Sequence, residues 1–221
     1  MRDYLTTQNL LRALILAGVT TAMSVPRIAA TGMQLDLYVS GAMLAMTLVC
    51  GAVTAWSTKA HMHGLFPSPK RMLLGIGIAV LLVALLTPPY HTAVNPILRA
   101  ALEQTGDTRM IELRYPLTNQ GRMSLMLWAG SFEFMFFYAA GMCFFARLTG
   151  RQGVAVIMVV LFRVAVSYYQ LQVGHVTDCI PIFLFCSALS AATVCLLFAQ
   201  AGLPAAMIFA MGQNIHLFLP Q

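Results

Sequence analysis

Charge is what this chain most lacks. Soluble domains carry roughly 25% charged residues, but here Asp, Glu, Lys and Arg make up 9% of 221 residues while hydrophobic residues make up 59%. That deficit, with several apolar runs near twenty residues, excludes a soluble domain and reads as a polytopic membrane protein in one helical bundle. The runs also lack the alternation of polarity that marks β-barrel strands. The first run, from Leu10, has no clean small-residue cleavage site and leads into further spans, so it reads as a retained span rather than a signal peptide. There is no internal repeat and no low-complexity tract. A net charge of +6 could suggest nucleic acid, but the basic residues are spread over loops instead of gathered in a patch, which excludes that partner. The five cysteines lack metal-ligand spacing; Cys50, Cys143, Cys186 and Cys195 lie in apolar runs as small hydrophobes, and Cys179 lies at a run's edge beside Asp178. His61-x-His63 has no further ligand nearby and reads as a solvated loop. No metal-binding residues are assigned, and the sequence leaves open whether a pigment, haem or quinone is bound.

What is present is an all-α pattern of seven membrane segments plus one interfacial helix. The segments run from about Leu10 to Ala30, Leu37 to Trp56, Met72 to Thr87, Met123 to Ala146, Val154 to Tyr169, Ile180 to Ala199 and Leu203 to Leu217. Pro88-Pro89 is expected to end the third, whose length is marginal for a span. The polar stretch from His91 to Arg122 holds the interfacial helix, Asn95 to Gln104, with Ile97, Leu98, Ala101 and Leu102 on an apolar face. The chain thus divides into three first segments (1–94), a connection (95–122) and a four-segment core (123–221). Gly202-Leu203-Pro204 opens the last segment.

Short-loop Lys/Arg bias sets the orientation. Arg2, Lys59, Lys70, Arg71, Arg147 and Arg151 gather on one side against Asp3. The other side has the loop near Gly32–Asp36, the turn at Gly174–Asp178 and the long connection, whose four arginines are offset by Glu103, Asp107 and Glu112. The N-terminus is expected in the cytoplasm and the C-terminus outside, in a bacterial cytoplasmic membrane.

Two ionisable residues fall in mid-run. Glu133 sits in the fourth segment and Arg163 in the fifth, equally far from Leu148 in the basic turn Arg147-Leu-Thr-Gly-Arg151. Antiparallel helices joined there place both at one depth, where neither can face lipid, so an ion pair is expected. Gln213 and Asn214 reach a similar depth in the seventh segment and complete an expected polar layer of Glu133, Arg163, Gln213 and Asn214. Structural glue between helices is the simplest reading of such a layer; an ion or substrate site and catalysis are the alternatives.

Residues Ser131 to Leu217 resemble the CPBP family of intramembrane proteases (CAAX prenyl proteases and bacteriocin-processing or immunity proteins). The family's Glu-Glu-x-x-x-Arg motif, with Phe before the Arg, falls on Glu133-Phe-Met-Phe-Phe137-Tyr138, with Phe134 for the second Glu and Tyr138 for the Arg. Its Phe-x-x-x-His falls on Phe162-Arg-Val-Ala-Val166, and its His-x-x-x-Asn on Ala210-Met-Gly-Gln-Asn214. The resemblance implies a membrane helical core and a glutamate that activates water with help from two histidines and the asparagine. Here both histidine positions are aliphatic, Val166 and Ala210, and a general base and oxyanion stabiliser both need placed polar groups.

The expected function is therefore non-catalytic: a protease-like scaffold acting in the lipid bilayer as a subunit, assembly factor or immunity-type partner of another integral membrane protein. An active hydrolase using Glu133 with Asn214 and His216 is the alternative. A small transporter or channel ranks third, because repeat symmetry and broken helices are not evident. The phenylalanines of segment four cover all its faces, as for a helix meeting protein and lipid. The small residues Ser187, Ala188, Ser190, Ala191 and Ala192 allow close helix approach in segment six.

Overall fold

Local signals in the sequence set the helix limits. The computed structural model describes residues 6–30, 34–57, 65–173 and 180–219. Helix α1 is Thr7–Ala30, α2 Leu35–Trp56 and α3 Pro69–Pro89, with Pro69 in its first turn, where a missing N–H does no harm. Short helices α4 (Asn95–Gln104) and α5 (Thr108–Arg114) follow. A long rod, α6, spans Asn119–Thr149. The Thr118 hydroxyl caps its start by accepting from the Gly121 N–H at 3.1 Å, and Gly150, at φ 67°, ends it. Helix α7 is Gln152–Val173, and α8 is Ile180–Gly212, followed by a 3₁₀ turn, Ile215–Phe218. Six rods are long and apolar enough to cross a membrane. Together they form an all-α integral membrane bundle.

The expected seventh segment is helical only over 203–212, about 15 Å or half the depth of a bilayer core, and it is the second part of α8. Gly202 breaks its helical geometry with φ 81° and ψ −173°. Beyond it, Gln213 accepts a 2.5 Å hydrogen bond from the hydroxyl of Ser190. A straight helix would hold those two residues about 34 Å apart, so the chain reverses at Gly202 into two antiparallel arms, 180–201 and 203–212. The second arm runs beside α3 in parallel. A Cβ on Gly75 would stand 2.2 Å from that of Ala201, and one on Gly212 would stand 2.4 Å from Val83. The arm is fixed at its start, where the Leu203 N–H donates to the Leu65 carbonyl at 2.9 Å.

The third segment departs from expectation. Pro88 and Pro89 do not end it; α3 includes both, passes through a π-helical turn at Tyr90–Val94 and continues into α4 as one rod, Pro69–Gln104. Proline removes the donors to residues four back without forbidding helical φ. The wider turn that follows re-forms the ladder, with the Asn95 N–H on the Tyr90 carbonyl. Helix α4 has the expected bounds, but its packing face is Leu98, Ala101 and Leu102, which bury against protein (Tyr115, Leu171, Phe183 and Leu217); Ile97 is 46% exposed and lies off that face.

The core lies between α2, α6 and both arms of α8. Met46, Cys50 and Val53 meet Phe134, Met135 and Met142 of α6, with Val194, Phe198 and Phe209 of α8. Lipid tails are as apolar as these side chains, so close packing and interhelical hydrogen bonds hold the bundle rather than exclusion of water. The small residues of segment six serve this: Ala191 is fully buried, and Ser187 shares a 2.8 Å hydrogen bond with Ser167 of α7. Cys50, Cys143, Cys186 and Cys195 are all free thiols.

Polar contacts mark the two ends of the bundle. At one end, Asn9 donates to the Gly51 carbonyl at 3.3 Å and the Arg147 guanidinium lies over the Trp56 ring at 5.3 Å. At the other, Arg27 of α1 donates to the Leu113 carbonyl at the C-terminal end of α5, a favourable place for a cation. Arg114 lies over Phe183 there, at 4.7 Å. The connection between α3 and α6 is thereby tied to the first span. His61, His63, His175, Asp178 and Cys179 lie outside the described residues.

Candidate functional site

Glu133 and Arg163 meet. Each stands midway along its helix, α6 and α7, and the turn at Gly150 folds these helices against one another. An Nη2 group of Arg163 donates to Oε1 of Glu133 in a salt bridge. The Arg163 Nε–H donates to the hydroxyl of Tyr138 at 3.1 Å, and its guanidinium lies over the Phe137 ring at 5.4 Å. Neither charged side chain is fully enclosed: Arg163 is 17% exposed and Glu133 23%.

Tyr138 is a partner that the sequence reasoning did not assign. Residues five apart on an α-helix point about 140° away from each other, so Glu133 and Tyr138 do not share a face in the expected geometry. The structure changes that geometry. Residues Ala129–Ala139 form a π-helical stretch centred on the site, closed by the Ala140 N–H on the Met135 carbonyl. Hydrogen bonds from i to i+5 bring residues five apart toward one face, and such stretches often occur at functional sites. The stretch thus aims two polar groups of α6 at one guanidinium. It also lets α6 approach the second arm of α8 at Gly130, where a Cβ would fall 2.0 Å from Cγ of Met211.

The expected polar layer divides. Gln213 is bonded to Ser190, across the α8 hairpin. Asn214 lies just past the helical end of the second arm, at φ −91° and ψ 3°, and its N–H donates to the Met211 carbonyl. Among the described residues no hydrogen bond links Gln213 or Asn214 to Glu133 or Arg163. The reason is the short second arm: helix ends at Gly212, so the polar pair that follows turns within its own hairpin.

His216 goes elsewhere. It is 7% exposed, its Nδ1 lies 2.8 Å from the Gln213 carbonyl, and its ring meets that of Tyr90 edge-on at 4.8 Å. This places it beside the far end of α3, and among the described residues no hydrogen bond joins it to Glu133. Ala210 is 5% exposed and Val166 half-buried, and both offer only hydrocarbon.

The outer flank of the pair is aromatic. Trp128 stacks on Phe132 at 4.5 Å and Phe132 on Phe136 at 6.1 Å, while Phe136 meets Phe137 edge-on at 5.3 Å and Phe137 lies 6.1 Å from Phe162 of α7. Phe136 and Phe162 are 46% and 47% exposed, standing further out than the charges beside them. The site is a mostly buried ion pair next to a row of rings, in the middle of two membrane-spanning rods. Comparisons with protein-family models, curated proteins and solved structures found no match for the chain.

Proposed function

We propose that this protein is a non-catalytic integral membrane protein that acts as a subunit, assembly factor or immunity-type partner of another membrane protein, on a scaffold resembling the intramembrane proteases. The observation that carries the reading is the commitment of Glu133 to Arg163 and the absence of any histidine hydrogen-bonded to it among the described residues. A carboxylate activating water needs that water within hydrogen-bond reach and further polar groups for the developing charge. Glu133 accepts from the Arg163 guanidinium, which also donates to the Tyr138 hydroxyl, and among the described residues no imidazole is hydrogen-bonded to the pair. Purified protein is expected to cleave neither prenylated nor leader-type peptides. Cleavage that Glu133→Gln abolishes would replace this reading with the hydrolase one. Purification from native membrane in mild detergent is expected to retain a stoichiometric integral membrane partner, and a lone monomer would count against the proposal.

The protein is placed in a bacterial cytoplasmic membrane with its N-terminus inside. Lys/Arg bias supports that orientation, and the bundle has opposite ends to carry it. Phe66, at the Gly202 end, and Asp107, in the α4–α5 connection, are both exposed. Cysteine introduced at position 66 should react with a membrane-impermeant maleimide only from the cytoplasmic side, and cysteine at 107 only from outside. Labelling of both from one side would overturn the arrangement.

A further inference from the structure

We infer that the Glu133–Arg163 pair and the adjacent aromatic strip form a lateral docking surface for one transmembrane helix of another protein, apolar except for a single carboxamide side chain, Asn or Gln, at mid-depth. The inference rests on the proposed partner-binding function and gives that partner a surface and a chemistry.

The starting point is unspent hydrogen-bonding capacity. A guanidinium carries five N–H donors. Arg163 uses one Nε–H on Tyr138 and one Nη2–H on Glu133, and Glu133 accepts through Oε1 alone. Among the described residues these are the only hydrogen bonds of either side chain. Three donors and the Oε2 acceptor therefore remain, on groups that still have exposed surface in the middle of α6 and α7. Hydrocarbon tails offer no hydrogen bond, and an unsatisfied polar group at that depth is strongly disfavoured.

The occupant follows from shape and charge. The pair as a whole is neutral, so a charged newcomer would need a counter-ion of its own. What fits is a neutral group with a donor and an acceptor side by side, and that is a carboxamide. The pair is less exposed than Phe136 and Phe162 beside it, so a side chain that extends from its own helix suits it best. A single helix can supply that side chain, with its backbone along the row formed by Trp128, Phe132 and Phe136, whose rings stack in succession along α6.

The test uses full-length protein in phosphatidylcholine nanodiscs, donor-labelled, and two acceptor-labelled synthetic transmembrane peptides: an all-leucine helix and the same helix with one central asparagine. The asparagine peptide is expected to bind about threefold to tenfold more tightly, the size of an interhelical hydrogen bond in a membrane. The preference should vanish in Glu133→Leu/Arg163→Leu. A photo-crosslinker at position 136 of the otherwise unaltered protein gives a second readout that does not depend on that variant folding: it should capture the asparagine peptide, and one at position 81, on the exposed face of α3, should not. Equal binding of the two peptides, a preference that survives in the double variant, capture at 81 as strong as at 136, or self-association that depends on Glu133 and Arg163 would each overturn the surface. A native partner that co-purifies equally well with the double variant would remove this surface while leaving the partner-binding function standing.

Discussion

Glu133→Gln and Arg163→Met are each expected to lower the unfolding midpoint in detergent by about 6–12 °C, and the double variant to recover most of that loss. Removing one member of a buried pair strands the other, at about 3–5 kcal/mol, whereas replacing both can be nearly neutral. The lower end applies here, because polar groups in a membrane find substitute partners in the unfolded state. About 3 kcal/mol corresponds to the stated shift at this chain length. The pair stands midway along two membrane-spanning rods and is mostly buried, so added salt should change little. Tyr138→Phe keeps the ring and removes only the acceptor for Arg163 Nε, so its loss should be smaller, about 1–2 kcal/mol. The measurement is a thermal scan of the four variants beside wild type. Single variants as stable as wild type would show that the salt bridge does not hold α6 to α7.

Gly202→Ala should be the most damaging single-methyl change in the protein. At φ 81° and ψ −173° the backbone lies in a region that is essentially glycine's own, worth about 1–3 kcal/mol for any other residue. The added Cβ would also fall 2.4 Å from Cδ of Pro67 and 2.8 Å from the Leu65 carbonyl oxygen. That carbonyl holds the Leu203 N–H, so it cannot retreat without breaking the bond that starts the second arm. Strain, clash and lost hydrogen bond together should take about 3–5 kcal/mol or prevent accumulation of folded protein. Gly18→Ala is the control: its Cβ would meet nothing within 4 Å, and alanine favours the helix by about 0.5–1 kcal/mol. Folded yield by size-exclusion profile, compared between the two variants, checks the difference.

Composition and hydrophobic run lengths determined the class. A chain with so few charges has to bury its backbone polar groups within helices, and seven apolar runs separated by basic turns and glycines leave few other arrangements. The ion pair was legible for the same reason: Glu133 and Arg163 are isolated charges equidistant from Leu148 in one turn, and neither can face lipid alone. The boundaries of α4 were legible from its apolar spacing. What covers that face was not, because periodicity reports that a face is buried and is silent on whether lipid or protein buries it.

Three features were decided only by the tertiary structure. Pro88-Pro89 reads locally as a stop, yet the next turn widens and the rod continues, since a π turn supplies the hydrogen bonds that proline withholds. Gln213 and Asn214 have the right distance from Gly202 for a shared layer, yet Ser190 on the facing arm takes Gln213; one turn of rotation about a short helix settles which neighbour a side chain meets, and run length does not encode it. Tyr138 joins Arg163 because i→i+5 bonding rotates it toward Glu133. The sequence thus fixes depth along the membrane normal, which the burial of charge demands. Azimuth around each helix depends on packing against Gly130, Gly75 and Gly202, and only the folded bundle sets it.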